Sequence, residues 1–280
     1  MRRGRNQKVI QEFGAEWTKF KNDQKEIEEV LARQFEAYSA PLKNFALPKK
    51  IIAPDFGAGS GRWDKFFAKF VEHLVLVEPS QAAIDVAREK LSTFSNIIFQ
   101  NETVERCTIE SKSLDLAISL GVLHHTDDTQ FALKCIQEKL KPGGIFLRYL
   151  YYNLENKSYI YRLIWKISDL IRVVVSKLPK VAKLVLAEVI AVAIYFPLAR
   201  FSLLLEKSGR GAQSIPLHHY ANMPLYIMRN DALDRFGTRI ERRFSRAEIS
   251  ELLFNTGFDV KTLYFSESEP FWTFAVQNKS

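Results

Sequence analysis

Ile51-Ile52-Ala53-Pro54-Asp55-Phe56-Gly57-Ala58-Gly59-Ser60-Gly61-Arg62-Trp63 is the stretch on which the reading of the whole chain turns. An apolar run breaks into three glycines at alternate positions, and Trp63, Phe66, Phe67 and Phe70 then recur at helical spacing. That order predicts a buried strand, a tight turn and a helix over 61–70. Glycine tolerates φ > 0 and lets a ligand come close to the backbone. A helix start adds unpaired N–H groups and a positive dipole end, which suit a carboxylate or phosphate. The spacing is Gly57-x-Gly59-x-Gly61, which is not the Gly-x-Gly-x-x-Gly of dinucleotide sites.

Working outward, a second apolar run, Leu74-Val75-Leu76-Val77, ends in Glu78. A carboxylate at the end of a second strand is suited to accept hydrogen bonds from the two hydroxyls of a ribose. Further on lie Leu114-Asp115-Leu116-Ala117-Ile118-Ser119-Leu120-Gly121-Val122-Leu123-His124-His125 and Leu140-Lys141-Pro142-Gly143-Gly144. Strands are expected near 50–56, 73–78, 96–100, 114–120 and 144–151, with helices near 80–91 and 127–140 between them. Such alternation predicts an α/β fold with a mostly parallel sheet and helices on both faces. Pro54 removes a backbone donor from the first strand and weakens the expectation for its last pairing.

Taken in this order, the four stretches resemble the class I S-adenosylmethionine-dependent methyltransferases. The likeness is greatest to the small-molecule branch that includes quinone-biosynthesis and sugar methyltransferases. It covers residues 49–152 and, more loosely, the chain from Phe244. The resemblance implies a Rossmann-like seven-stranded sheet with one antiparallel strand, and S-adenosylmethionine as cofactor. Asp55, Gly57, Ala58, Gly59 and Gly61 would hold its methionine end, Glu78 and Pro79 its ribose, and Ser119, Leu120 and Gly121 the far wall. Asn101 or Glu102 would reach the adenine, or else both lie in a solvated loop. His124 and His125 stand where the methyl group is expected, either as a general base or packed against the sheet; His218 and His219 are further candidates for that base. No metal site is expected.

Composition narrows the alternatives. The 280 residues are 47% hydrophobic and 26% charged, enough to bury a full core. Cys107 and Cys135 have no metal-ligand spacing, and a reduced, cytoplasmic setting is the simplest reading. The basic start, Met1-Arg2-Arg3-Gly4-Arg5-Asn6-Gln7-Lys8, leads into no apolar signal core. The net charge of +8 first suggests nucleic acid, yet Lys157 to Arg210 alone contributes +7. There the basic residues are interleaved with Leu, Ile and Val and not with stacking aromatics, which disfavours RNA.

Three regions follow: an N-terminal helical cap over 1–48, a core over 49–152 and 240–280, and a helical lid insertion over 153–239. In the first, Ile27, Val30, Leu31, Gln34, Phe35 and Tyr38 recur at helical spacing and either cover the cofactor mouth or only bury a sheet edge. In the core, Ser245 and Glu248 form a capping-box pattern for a helix over 246–255. Strands over 258–265 and 271–277 would complete the sheet. In the insertion, Ile160, Leu163, Ile164, Ile167, Leu170, Ile171, Val174 and Val175 share one helical face, and Arg162, Lys166, Asp169, Arg172 and Lys177 the other.

Pro179 ends that helix. The apolar run from Leu184 to Leu198 is interrupted by Pro197 and reaches about 22 Å, short of the roughly 30 Å of a bilayer core. Two readings of 158–207 stay open: a lid, or a peripheral contact with anionic membrane at its inner face. The expected activity is methyl transfer to a small or lipid-linked acceptor at oxygen. An RNA-modifying enzyme and a non-catalytic, membrane-associated cofactor-binding protein are the alternatives.

Overall fold

The computed structural model describes residues 2–21, 24–209, 211–212, 215–267 and 272–279. Arg210, at the end of the basic segment, and Phe271, expected to open the last strand, lie outside them. The chain divides into two compact units, 1–155 with 240–280, and 156–239.

The first unit is built on a seven-stranded sheet of order β3-β2-β1-β4-β5-β7-β6. Its strands are β1 Ile52–Phe56, β2 His73–Val77, β3 Ile97–Gln100, β4 Leu114–Leu120, β5 Leu140–Tyr149, β6 Phe258–Phe265 and β7 Thr273–Asn278. Strands β1 to β5 run parallel, and β7 lies antiparallel between β5 and β6. This is the Rossmann-like seven-stranded sheet with one antiparallel strand that the sequence suggests. Because side chains alternate along a strand, the two faces feed two cores. Val75, Val77, Ala117, Phe146 and Phe274 pack on one face, and Leu74, Leu76, Leu116, Ile118 and Leu147 on the other. Burying each large apolar side chain stabilises the fold by about 1.5–3 kcal/mol.

Helices α1 Arg2–Lys19, α2 Lys25–Ser39, α3 Asp64–Phe67, α4 Gln81–Lys90, α5 Thr129–Lys139 and α10 Arg246–Thr256 surround the sheet; α6 to α9 belong to the second unit. Ser80 caps α4 by accepting from Ala83 N–H, and Asp128 caps α5 by accepting from Phe131 N–H. The Ser245–Glu248 capping box opens α10, and Gly257 closes it with φ +97°.

Three sequence expectations for this unit need correction. The helix over 61–70 is only the single turn α3, because Gly61 is held at φ +69° and the chain turns again after Phe67. The loop therefore gains no long helix dipole. Strand β5 begins at Leu140, not 144, since Leu140 already pairs with Leu114 across a register shift. Pro54 sits in a strand paired with β2 along its whole length, while pairing with β4 is brief, Asp55 opposite Ile118.

The second unit holds α6 Tyr159–Val175, α7 Lys180–Ile190, α8 Phe196–Lys207 and α9 Leu225–Gly237, with α6 and α7 packed on α9. Pro197 does not interrupt the helix. A π-turn, Ala191–Tyr195, joins α7 to α8, so that Lys180–Lys207 is one helix of 28 residues. A wide turn relaxes the hydrogen-bond ladder where proline has no N–H to offer. The polar face of α6 also differs from expectation. Arg172 is buried and donates to Thr238 O at 3.2 Å, with Asp169 at 2.6 Å beside it.

Candidate functional site

The Gly57–Gly61 loop joins the carboxyl end of β1 to α3. Gly57, Gly59 and Gly61 all have positive φ, +84°, +57° and +69°, a region that side chains with a Cβ avoid. The space around them is also taken. A Cβ on Gly57 would strike Val122, one on Gly59 would lie 2.7 Å from Trp17 Nε1, and one on Gly61 2.6 Å from Leu91. Helix α1 thus lays Trp17 against the loop, and Gly14 of the same helix is in close contact with Ser80 at the start of α4. Phe13 stands 5.1 Å from the His125 ring, and Arg62 packs over the Trp17 indole at 5.0 Å.

Beneath the loop lie three buried carboxylates. Glu78 accepts from Gly59 N–H at 3.0 Å and from Ser80 N–H at 2.8 Å, tying the end of β2 to the loop. Two carboxylate oxygens carry about four acceptor sites, so two acceptor positions of Glu78 are left for a ligand. Asp55 Oδ1 and both oxygens of Asp64 are buried with no hydrogen-bond partner among the described residues. Burial is the main cause that raises all three. Glu78 rises from the usual 4.5 to about 7, and Asp64 from 3.8 to about 7. Asp55 rises well above its usual range, with the charges of Asp64 and Glu78 adding to burial. Asp64 was missed in the sequence because it reads there as one more polar residue of a solvated helix start.

These shifts have a measurable consequence. Carboxyls whose pKa is raised on folding hold protons more tightly in the folded chain, so their contribution is full below about pH 4 and lost as pH rises to about 7. The unliganded protein is therefore expected to melt at lower temperature at pH 8 than at pH 5, with a loss of about 3 kcal/mol or more. Asp64→Asn should flatten the slope. Thermal unfolding across that range checks this, and a melting point that climbs steadily toward pH 8 would contradict it.

At the carboxyl ends of β4 and β5 a second cluster forms. His124 and His125 lie in a 3-10 turn, Leu123–His125, with ring centroids 4.1 Å apart. His124 is fully buried and stacks on Tyr151 at 3.8 Å. Burial, then His125, Arg148 and Arg243, hold it well below its usual range, so the ring is neutral at neutral pH. His125 is positioned by a 2.6 Å bond between Nδ1 and Ile240 O. A carbonyl can only accept, so Nδ1 carries the proton and Nε2 is the basic nitrogen. Arg148 on β5 is fully buried, and no described residue hydrogen-bonds its guanidinium; burial lowers it to about 9. A charge inside an otherwise apolar strand was the signal for it in the sequence.

The other candidates fall in varied places. Ser119 is buried and donates to Phe56 O at 3.0 Å, a clamp between β4 and β1. Leu120 is buried, Gly121 has open space around it at φ +81°, and Ala58 and Pro79 are half-buried. Asn101 donates to Glu78 O at 3.0 Å, and Glu102 accepts from Thr108 N–H at 2.8 Å. His218 and His219 belong to the second unit, on the 3-10 turn His218–Tyr220, where Tyr220 donates to Asp231 at 2.8 Å.

Residues 54–148, from within β1 to the end of β5, match the model of a methyltransferase domain. That stretch, about a third of the chain, is similar to a methyltransferase domain, and the seven-stranded sheet has the fold of S-adenosylmethionine-dependent methyltransferases. The domain is similar to methyltransferase gedG of Aspergillus terreus, 27% identical over 33% of this chain and 29% of that protein. It is also similar to a ubiquinone biosynthesis O-methyltransferase of Methylocella silvestris, 23% identical over 42% of this chain and 48% of that one. The chain thus spans less than half the length of the curated relatives it matches. Among solved structures, a possible histamine N-methyltransferase of Thermotoga maritima shares the methyltransferase fold, with TM-score 0.51 and 15% identity over 96% of this chain and 100% of that one.

Proposed function

We propose that the chain is an S-adenosylmethionine-dependent methyltransferase that alkylates an oxygen of a small or lipid-linked acceptor. The observation carrying this reading is the loop of three left-handed glycines over three buried carboxylates, two of which have oxygens without a partner among the described residues. A cationic, hydroxyl-bearing cofactor fits such a site, because buried carboxylates need positive charge or donors to offset their desolvation. Asp55 and Asp64 would face the methionine ammonium, and Glu78 would accept from the ribose hydroxyls. Gly57, Ala58, Gly59 and Gly61 would keep the approach open. Pro79, Leu120 and Gly121 would wall the adenosyl group, with Asn101 and Glu102 beside them and Ser119 holding β4 to β1. When bound, the cofactor supplies a methyl group on a sulfonium that a nucleophile can displace in line.

The protein's own work is then positioning, exclusion of water and handling of one proton. A hydroxyl sheds its proton as it is methylated, and a neutral histidine can take it. His124, stacked on Tyr151, or His125, with Nε2 as its basic nitrogen, would serve from within the methyltransferase domain; His218 and His219 are the candidates in the second unit. Transfer at oxygen is supported by that proton acceptor and by the similarity to a quinone O-methyltransferase. The positive charge of 158–207 supports a cytoplasmic protein held at the inner face of a membrane.

The test is transfer of labelled methyl from S-adenosylmethionine into aqueous and lipid fractions of a cell extract, with release of labelled methyl iodide by hydriodic acid reporting methyl carried on oxygen. His124→Gln is expected to lower kcat about a hundredfold while leaving cofactor affinity alone. Unchanged kcat would remove His124 as the base.

A further inference from the structure

Helix α6 is inside out. Its inward stripe runs through Tyr161, Trp165, Ser168, Arg172 and Val175, whereas Ile160, Leu163, Ile167, Leu170, Ile171 and Val174 are all exposed, 47–70% of each side chain's surface. The long helix repeats the pattern. Lys183, Ala187, Ala191, Ala199 and Ser202 are buried, while Val181, Val185, Val189, Val192, Phe201 and Leu204 stand in the open. Seventeen of the 22 exposed large apolar side chains among the described residues lie between Tyr159 and Leu204. Only 22% of the most apolar window of Lys180–Lys207 is buried, so it is not the core helix of this unit.

Several polar groups of these helices are spent inside the unit. Lys183 donates to Gly237 O at 3.1 Å, Arg172 to Thr238 O, and Arg200 to Met223 O at 3.1 Å. Glu188, the one acid in the most apolar stretch, pairs with Arg229 at 2.7 Å. A soluble monomer rarely leaves so contiguous an apolar surface to water. What borders it is basic. On the α6 wheel Arg162 and Lys166 flank the exposed stripe, and both are exposed.

We infer that the outward faces of α6 and Lys180–Lys207 are inserted into the hydrocarbon of one membrane leaflet, with Arg162 and Lys166 at the headgroups. The occupant is lipid because the apolar stripe and the basic flank together match acyl chain and anionic headgroup. At 28 residues the long helix reaches about 42 Å, enough to cross a bilayer. Yet one of its faces is bonded to the unit's own polar groups, which leaves a single face for lipid and makes the contact monotopic. This deepens the reading of 158–207 as a membrane contact and is independent of the methyl-transfer reading. It replaces electrostatic adsorption by insertion.

Flotation of the full chain with phosphatidylcholine vesicles, and with vesicles containing phosphatidylglycerol, separates the cases. Insertion predicts binding to both, stronger by about tenfold or more on the anionic vesicles, with binding to phosphatidylcholine changed less than about threefold by about 1 M salt, where screening acts within about 3 Å. Leu163→Glu, Ile167→Glu and Leu170→Glu together should cut partitioning about a thousandfold, since each exposed side chain contributes at least about tenfold when buried. Their exposure leaves folding and cofactor binding intact, which circular dichroism and calorimetry verify. Binding only to anionic vesicles, released by salt and lost in Arg162→Glu/Lys166→Glu, would overturn insertion and keep adsorption. Failure to float, with self-association broken by the three glutamates, would overturn both and give the face to a second copy. Failure to float as a monomer would overturn both as well.

Discussion

Glu78→Ala is expected to weaken S-adenosylmethionine binding at least about a hundredfold, since each hydrogen bond to a charged group is worth about 1.5–3 kcal/mol. In the unliganded protein the carboxylate already accepts from Gly59 and Ser80 N–H groups. Removing it frees the loop from the end of β2 and leaves two buried donors unsatisfied, besides deleting the proposed ribose acceptor. Affinity should fall through both losses, and the melting temperature with it. Glu78→Gln separates them. Its amide oxygen can still accept from one N–H, so it should recover part of the stability and little of the affinity. Calorimetric titration of both variants checks this; an alanine variant that binds as wild type would remove Glu78 from the site.

Gly59→Val is expected to abolish detectable binding, a loss of about a thousandfold or more. Two costs combine: a β-branched residue at φ +57°, and a Cβ at 2.7 Å from Trp17 Nε1. Left-handed strain costs about 1–3 kcal/mol and overpacking about the same. Both are relieved only by displacing α1 or by turning the loop out of its shape, and either changes the surface proposed to meet the cofactor. Trp17→Ala in the same background isolates the clash. If that double variant regains binding, crowding by α1 is the cause; if not, backbone strain is. Unimpaired binding by Gly59→Val alone would make the turn structural only.

The alternation of apolar strands and helices was legible because each signal is local. Strand β2 shows its period in Leu74-Val75-Leu76-Val77, and the buried ends of β1 and β4 stand beside glycines that only a turn with φ > 0 requires. The cap formed by Ser245 and Glu248 was legible for the same reason. The failures were those of spacing without context. Phe66, Phe67 and Phe70 keep helical spacing, yet they pack around Phe35 of α2 from a single helical turn and the bend after it.

What the sequence by itself determined is the sheet, the glycine loop and the identity of Glu78 as the acid that ends β2. These follow from periodicity and backbone sterics over a few neighbouring residues. What only the tertiary structure decided is which groups share a buried space: Asp64 with Asp55, Trp17 with Gly59, Arg148 near His124. It also decided the polarity of α6. Periodicity divides a helix into two faces but is silent on which one turns inward. Here packing on α9 put Arg172 inside, because the Thr238 oxygen just past the end of that helix accepts a hydrogen bond from its guanidinium, and left the isoleucines and leucines outside.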